Sequence, residues 1–304
     1  MAVPYLPPEI MSRIFGWIHP HTVYKLRRIS KGLNSLISSG AFGRENLAHF
    51  FSAPTTSDAI TSSVANEFDC LFFKLPVAFR TVYAEKYLSK LTHIDWNHEA
   101  EMAAELPREI RLLSNLKTLV ITSSQLRGSI PKELGLMSKL NYVGLWENAF
   151  TGEIPHFTCP QLRKLLLFSN RLTGCIPQSI CRLTELTELY LHDNCLSGPI
   201  PCEIGCLVNL RALMLDHNSL DGPIPHEIGN LPNLTGLYLD HNQLSGALPA
   251  EFGNLGELLY ASLNNNRLTG AIPSAVTNLR NLERFDLRDN AGLTCDFSFE
   301  VMQL

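Results

Sequence analysis

Histidine and aspartate side chains stand next to each other at three places in the second half of the chain. Successive pairs are 24 residues apart: His192-Asp193, Asp216-His217 and Asp240-His241. Imidazole nitrogens and carboxylate oxygens together could hold a divalent metal ion or move protons near neutral pH. A metal-dependent enzyme built on these pairs is therefore one hypothesis, and stoichiometric metal in the purified protein would favour it.

Thiols are the second group of potential metal ligands. Five of the eight cysteines lie close together in the sequence: Cys175, Cys181, Cys195, Cys202 and Cys206. Their spacings are not those of a known zinc module, and they fall at different positions of the repeat described below. We interpret them as reduced, small side chains at variable positions. The main interpretation therefore includes no metal and no cofactor.

Motifs that position other catalytic groups are missing. The sequence contains no glycine-rich phosphate-binding loop, no H-E-x-x-H, no G-x-S-x-G and no paired C-x-x-C. We therefore expect a protein that is not an enzyme.

Composition and charge limit the partners. The 304 residues are 45% hydrophobic and 18% charged, enough to bury a sizeable core. A net charge of -4 disfavours a nucleic-acid binder or an anionic-membrane binder. The strongly apolar stretch 71–79 contains Lys74 and Pro76 and is far shorter than the ~20 residues of a membrane span. The start of the chain lacks the features of a signal peptide, so we expect a cytoplasmic and/or nuclear protein.

The histidine–aspartate pairs recur because the surrounding sequence repeats. Ile-Pro or Leu-Pro dipeptides recur every 24 residues, with one step of 22, and end at Pro131, Pro155, Pro177, Pro201, Pro225, Pro249 and Pro273. Aligned on these prolines, the segments read LxxLxLxxNxLxGxIP, most clearly in residues 210–225. A degenerate unit begins at Leu91, and the unit from Leu282 to Leu304 is irregular.

The repeated positions predict an open stack of coils. One unit has too little apolar area to fold alone, so the leucines of successive units must pack together. The xLxLx segment predicts a short parallel strand, and the asparagine after it predicts a turn where its amide satisfies backbone groups. The glycine allows close approach of neighbouring coils, and the proline starts a short helical turn.

The repeated stretch resembles the plant-type leucine-rich repeat, and the resemblance covers about two-thirds of the chain. It implies an α/β solenoid, a leucine-rich-repeat arc with a parallel concave sheet, over residues 91–304 in about nine units. The cysteine-pair caps of secreted members are absent, which supports an intracellular location.

The first 48 residues show helical periodicity instead. Their pattern is similar to an F-box, carried by Leu6-Pro7, Glu9-Ile10, Ile14-Phe15, Leu26-Arg27, Ile29-Ser30-Lys31, Leu36-Ile37 and Phe42. Leu33 stands where the family usually has tryptophan. The resemblance implies a small all-helical domain that binds a Skp-type adaptor through Leu6, Pro7, Ile10, Ile14, Phe15, Leu26 and Leu33. Residues 49–90 are apolar, with a helical pattern, and are interpreted as a rigid joint and cap.

Side chains at the x positions of each strand point out of the concave sheet, while the leucines point inward. One column runs through Trp146, Phe168, His192, Asp216, Asp240 and Asn264, and its neighbour runs through Glu147, Ser169, Asp193, His217, His241 and Asn265. We predict a substrate site formed by Tyr142, Trp146, Glu147, Phe168, Tyr190, His192, Asp193, Asp216, His217, Tyr238, Asp240, His241 and Tyr260. Carboxylates outnumber lysines on this face, which favours a basic ligand.

Together these features favour the substrate-recruiting receptor subunit of an SCF-type ubiquitin ligase. Its partners would be a Skp-type adaptor with its cullin complex and a protein substrate, with no nucleic acid and no membrane. The main alternative is a leucine-rich-repeat interaction scaffold outside the ubiquitin pathway, whose first helices only cap the solenoid.

Overall fold

A computed structural model describes residues 39–50, 61–62, 72–73, 75, 77–97 and 104–294. Before the repeats, the described residues include the α-helices Gly40–Phe50 (α1) and Val77–Tyr83 (α2), and the π-helix Ala84–Leu88 continues α2. Helix α1 runs across residue 48, at which the sequence analysis divides the first two domains. Within the described residues, every helix is too short to cross a membrane.

The first sheet contains ten parallel strands that follow one another in chain order. They are β1 (Thr61–Ser62), β2 (His93–Asn97), β3 (Thr118–Thr122), β5 (Tyr142–Gly144), β7 (Lys164–Leu166), β9 (Glu188–Tyr190), β11 (Ala212–Met214), β13 (Gly236–Tyr238), β15 (Tyr260–Ser262) and β17 (Arg284–Asp286). Each strand from β2 onward supplies one coil of an α/β solenoid, and this sheet forms its concave face.

A second parallel sheet contains eight strands. Each of them follows the first-sheet strand of the same coil after a short turn. They are β4 (Arg127–Gly128), β6 (Ala149–Glu153), β8 (Arg171–Gly174), β10 (Cys195–Pro199), β12 (Ser219–Pro223), β14 (Gln243–Gly246), β16 (Arg267–Ala271) and β18 (Gly292–Thr294). The expected fold class is confirmed, and this second sheet is an element that the sequence analysis did not predict.

Short 3-10 helices complete most coils on the convex side. They span Arg108–Leu112, Leu134–Leu136, Ile180–Arg182, Cys202–Cys206, His226–Asn230, Ala250–Asn254 and Ser274–Asn278. Pro201, Pro225, Pro249 and Pro273 each immediately precede one of them, as expected for a residue with fixed φ and no N–H to pair. The predicted helical turns are therefore present, wound as 3-10 helix.

Leucines fill the space between the two sheets. In the coil that starts at residue 210, Leu210, Leu213, Leu215 and Leu220 are all fully buried. The same four positions are buried in the neighbouring coils, so the core is a continuous column rather than a separate core in each unit.

The repeated asparagine ties each coil to the one before it. Asn218 donates from Nδ2 to the carbonyl of Leu191 at 3.0 Å, and to two carbonyls of its own coil. Its Oδ1 accepts a hydrogen bond from the backbone N–H of Leu196 at 2.9 Å. The predicted role of this asparagine is confirmed, and it recurs at Asn148, Asn170, Asn194, Asn242, Asn266 and Asn290.

The repeated glycine serves both backbone conformation and close approach of neighbouring coils. A Cβ added at Gly128, Gly174 or Gly198 would lie 2.7 to 2.9 Å from a side-chain atom of the preceding coil, as expected. At Gly222 the nearest atom, Cβ of Pro199, would be 3.5 Å away, an ordinary contact. All these glycines have positive φ, which L side chains adopt only at a cost, so the conformational requirement is common to every repeat.

The 22-residue unit is the exception to the coil geometry. Between β6 and β7 no 3-10 helix forms in the described chain, and Phe157 and Cys159 fill the core instead. The segment lies against the preceding coil, where Thr158 donates its N–H to the carbonyl of Gly135 at 2.8 Å. A Cβ at Gly135 would lie 2.1 Å from the carbonyl oxygen of His156, so only glycine fits there.

An aromatic cluster covers the first coil. Phe42 of α1 contacts Phe79 of α2, with ring centroids 5.9 Å apart. Phe73 packs edge-on against Trp96 of β2 at 6.2 Å. Strand β1, within the region interpreted as a helical joint, pairs in parallel with β2 and extends the concave sheet. The described part of residues 49–90 therefore packs on the apolar end of the solenoid with both helix and strand.

Candidate functional site

Strand register aligns the outward side chains of the concave face into columns. Met214 pairs with Tyr190 on one side and with Tyr238 on the other. These residues are half-buried, whereas Leu213 between the columns is fully buried. A residue and its counterpart in the next coil are therefore neighbours about 4.8 Å apart.

Three aromatic side chains stack directly on one another where the concave strands end. The rings of Trp146 and Phe168 are 5.5 Å apart and tilted by 9°, and those of Phe168 and His192 are 4.5 Å apart and tilted by 10°. We call Trp146, Phe168 and His192 the aromatic ladder. Each of the three side chains is half-buried, so part of the aromatic ladder remains exposed to solvent.

Two glycines make room for large rings on this face. A Cβ at Gly144 would lie 2.6 Å from Cζ3 of Trp146, and a Cβ at Gly236 would lie 3.2 Å from Cε2 of Tyr238. The indole and the phenol therefore lie flat over glycine backbone. The sequence analysis did not assign these glycines to the site, although glycine at an x position beside an aromatic residue was the available signal.

Carboxylates continue the columns where the aromatic ladder ends. We call Asp193, Asp216 and Asp240 the acidic cluster; within the described residues, none of the three forms an ion pair with lysine or arginine. By contrast, Glu188 is neutralised by Lys164 at 2.7 Å. Among the predicted site's carboxylates that lack a lysine or arginine partner within the described residues, three therefore lie in the acidic cluster and one, Glu147, lies beside Trp146.

Two pKa shifts follow from this crowding. Burial, together with the charge of Asp240, raises the pKa of Asp216 to about 6. Burial against the ladder lowers the pKa of His192 from its usual 6.5 despite the nearby Asp193. Asp216 therefore takes up a proton near pH 6, at a higher pH than an ordinary aspartate, whereas the lowered pKa favours the neutral form of His192.

The residues that directly follow the Trp146 column form a neighbouring column, and their backbone is left-handed in every coil. Positive φ angles between 51° and 54° occur at Glu147, Ser169, Asp193, His217, His241 and Asn265. The imidazoles of His217 and His241 stack with centroids 4.1 Å apart, and His241 Nδ1 lies 2.9 Å from Asp240 Oδ2. Aspartate, asparagine and histidine are the non-glycine residues that adopt this conformation most readily.

The structure brings all thirteen predicted substrate-site residues to the concave face and its edge. Tyr142 and Tyr260 lie in the column that also holds Lys164 and Glu188, two residues before the Tyr190–Met214–Tyr238 column along each strand. The hydroxyl of Tyr260 donates to Glu283 at 2.6 Å. Glu147 accepts a hydrogen bond from Ser123 at 2.7 Å. The predicted adaptor residues Leu6, Pro7, Ile10, Ile14, Phe15, Leu26 and Leu33 lie outside the described residues.

The described cysteines do not gather into a metal site. Burial raises the pKa of Cys181 to about 12 and that of Cys159 to about 11, so both remain protonated thiols. Cys175, Cys195, Cys202 and Cys206 are exposed, and within the described residues no three thiols lie within metal-binding distance of one another.

A second concave surface lies beside the short coil. This groove of about 800 Å³ is lined in part by Val77, Leu136, Pro131 and Pro155. Its wall includes Arg80, which lies 3.3 Å from the buried carboxylate of Glu109. Because its charges are of both signs, it offers a less polarised surface than the concave face.

Comparison with protein families supports the repeat assignment. Residues 160–220 match a family model described as leucine rich repeat, and residues 233–255 match a second model with that description. The chain carries leucine-rich repeats. None of the curated proteins matches it.

Three solved structures show the same architecture over about two-thirds of the chain. The plant peptide hormone receptor RGFR1 in complex with RGF2 is 35% identical, with a TM-score of 0.62 over 68% of this chain and 37% of that chain. The Arabidopsis receptor kinase HAESA, in complex with an IDA peptide hormone, is 30% identical with a TM-score of 0.60, over 69% of this chain and 39% of that one. A leucine-rich-repeat protein of Leptospira interrogans is 33% identical with a TM-score of 0.57, over 68% of this chain and 51% of that one.

The chain therefore spans between 37% and 51% of the length of these three proteins. RGFR1 was solved in complex with RGF2, and HAESA was solved in complex with an IDA peptide hormone ligand.

Proposed function

We propose that this chain is a non-catalytic receptor that binds a protein partner on its concave leucine-rich-repeat face. The observation that carries the proposal is the aromatic ladder of Trp146, Phe168 and His192, continued by the acidic cluster. Partly exposed apolar rings contribute binding energy when a partner covers them, and carboxylates without a cationic partner attract a basic group. Similar repeats in RGFR1 and HAESA hold peptide ligands.

The ligand segment that suits this face has an apolar part and a basic part. The centre of the Trp146–Phe168 pair lies three coils from the centre of the Asp216–Asp240 pair. At about 4.8 Å per coil this is roughly 14 Å, the length of about four residues of extended chain. A peptide with an aromatic or aliphatic side chain about four residues from a lysine or arginine would reach both regions.

We further propose that the receptor serves an SCF-type ubiquitin ligase in the cytoplasm and/or nucleus. The support is the F-box pattern of residues 6–42. An aromatic cluster that includes Phe42 and Phe79 lies between this pattern and the repeats. Such a receptor acts by proximity, because holding a substrate lysine near the charged conjugating enzyme raises its effective concentration. No side chain of this chain then needs to react.

Binding of a purified Skp-type adaptor with its cullin tests the second part. The full chain should retain the adaptor, and the double variant Ile14→Ala with Phe15→Ala should lose it. Leu136→Ala with Val208→Ala is the matched control, because it removes two exposed apolar side chains of the convex side. Failure of the unaltered chain to retain the adaptor would favour the scaffold outside the ubiquitin pathway.

Affinity capture with the same control tests the first part. Partners retained by the unaltered chain and by the Leu136→Ala, Val208→Ala control should be lost when Trp146 and Phe168 are both changed to alanine. Circular dichroism must show that the solenoid stays folded in both variants. Equal retention by both variants would place the binding surface elsewhere on the solenoid.

A further inference from the structure

His217, Asp240 and His241 form a compact group at the edge of the concave face. One nitrogen of each imidazole and one carboxylate oxygen of Asp240 all lie within 4.8 Å of one another. In the part of the chain that the structure describes, no other set of three histidine, cysteine, aspartate or glutamate side chains comes this close.

The solenoid backbone fixes the positions from which these side chains project. His217 and His241 have φ of 51° and 52°. The backbone N–H of His217 donates to the carbonyl of Asp240 in the next coil, and that of His241 donates to the carbonyl of Asn264, both at 3.0 Å. The two imidazoles therefore occupy equivalent places in adjacent coils, which is why they stack at 4.1 Å. A pair of histidines held in this way is preorganised to act as two ligands.

Asp240 and His241 already stand near the separation of two ligands of one metal ion. Nδ1 of His241 lies 2.9 Å from Oδ2 of Asp240, close to the ~3.3 Å between two donor atoms on a tetrahedral ion. Both histidine side chains are exposed and Asp240 is half-buried, so rotation of the rings costs few packing contacts.

The charge around the group is not balanced by the chain. Asp193 lies one coil before His217, and Asp216 lies one coil before Asp240. Within the described residues, neither of these two aspartates forms an ion pair with lysine or arginine. Arg288, two coils beyond Asp240 in its column, is held by Asp286 through two hydrogen bonds. A divalent cation at the His217–His241 pair would therefore meet uncompensated negative charge.

We propose that His217, Asp240 and His241 bind a divalent transition-metal ion of the zinc type. Two imidazoles and one carboxylate suit Zn²⁺, whereas Mg²⁺ and Ca²⁺ take oxygen ligands. Tetrahedral ligands of Zn²⁺ lie about 3.3 Å apart, so the more distant donor atoms close in by up to about 1.5 Å through side-chain rotation. Three protein ligands leave a fourth position open toward the concave face, where a donor atom of a bound partner could complete the site.

Calorimetric titration with Zn²⁺ alone tests this site without any protein partner, so its outcome is independent of the proposed receptor function. The full chain, freed of metal with a chelator, should bind one equivalent and gain thermal stability on binding. His217→Gln should weaken binding by about ten-fold or more, and Asp240→Asn, which keeps the side-chain shape, should also weaken it. His226→Gln is the matched control, because His226 lies 3.4 Å from Glu227 on the convex side without a second imidazole.

Exposed thiols are the competing zinc ligands, and two measurements separate them. Co²⁺ bound at the proposed site should lack the intense near-ultraviolet absorption of cobalt thiolates, and Cys202→Ser with Cys206→Ser should leave the affinity unchanged. Unchanged affinity in His217→Gln, or loss of binding in the cysteine variant, would overturn the proposal. Absence of binding by the unaltered chain would mean that the histidines serve only the left-handed turn.

Discussion

The aromatic ladder and the acidic cluster share one coil geometry and present different chemistry. They form the two ends of the proposed binding surface on the concave face. At one end, Trp146 and Phe168 stack with their rings nearly parallel. At the other end, the same position holds Asp216 and Asp240, and burial together with the charge of Asp240 raises the pKa of Asp216. The leucines and asparagines beneath both ends are the same. The repeat therefore separates stability from recognition, since the buried positions fix the coil and the outward columns are free to vary.

The largest effect should come from removing a group that both ends share. Asn218→Ala leaves the buried carbonyl of Leu191 and the N–H of Leu196 without their partner, and should lower the free energy of unfolding by about 3 kcal/mol. Asn209→Ala, which removes one exposed hydrogen bond to Thr184, should cost about 0.5 kcal/mol or less. Urea denaturation measures both, and equal losses would show that the internal asparagines do not hold the coils.

Breaking the aromatic ladder should cost less. Phe168 is stacked on both sides, so Phe168→Ala should lower the free energy of unfolding by about 2 kcal/mol and change the fluorescence of Trp146. Tyr260→Ala, which removes an exposed ring at the other end of the sheet, is the control and should cost under about 1 kcal/mol. A Phe168→Ala variant as stable as the unaltered chain would mean that the stack contributes nothing in solution.

At the acidic end, a substitution should stabilise the fold. Asp216 has a folded-state pKa of about 6, above the usual aspartate value of 3.8, so its ionised form destabilises the native state at higher pH. Asp216→Asn should raise the free energy of unfolding by about 1 kcal/mol at pH 7.5, discounted because the carboxyl is partly solvated. The gain should shrink as pH falls through 6 and vanish below about pH 4.

Asp221→Asn, at an exposed position of the second sheet, should show little change at either pH. A stabilisation by Asp216→Asn that is the same at pH 7.5 and pH 4 would refute the account of the acidic cluster.

The smallest effect should come from the glycines beneath the rings. Gly144→Ala places a methyl group 2.6 Å from the Trp146 indole and should cost about 1 kcal/mol while moving the indole off Phe168. Gly236→Ala, where the same methyl meets Tyr238 at 3.2 Å, should cost less. Tryptophan fluorescence and urea denaturation together test whether the two sites differ in this order.

Much of this architecture could be predicted from the sequence. The period of 24 residues determined the concave strands, the core leucines and the internal asparagines, because each depends on spacing alone. The columns of Trp146, Phe168, His192 and Asp216 followed from the same spacing. The second sheet was missed because most of its segments have one buried apolar residue followed two positions later by glycine, and in some units then by proline, as in Ser219–Pro223, and such short segments resemble turns.

The burial of side chains and the backbone conformation of the turns could not be predicted from the repeat spacing. The raised pKa of Asp216 depends on how deeply its carboxyl lies beside Asp240, and spacing does not determine that depth. The left-handed backbone of His217 and His241 was also missed, although their residue type permits it. The predicted adaptor-binding residues lie outside the described part of the chain, so that prediction rests on the sequence pattern.

Selection of a random peptide library on the purified full chain tests the central claim most directly. The account predicts enriched peptides that carry an aromatic or aliphatic residue about four positions from lysine or arginine. Trp146→Ala should weaken the binding of such a peptide by about 2 kcal/mol, and Asp216→Asn with Asp240→Asn should remove much of its salt dependence. Enriched peptides without a basic residue, or with full affinity for both variants, would contradict the claim that the two ends of the concave face form one binding surface.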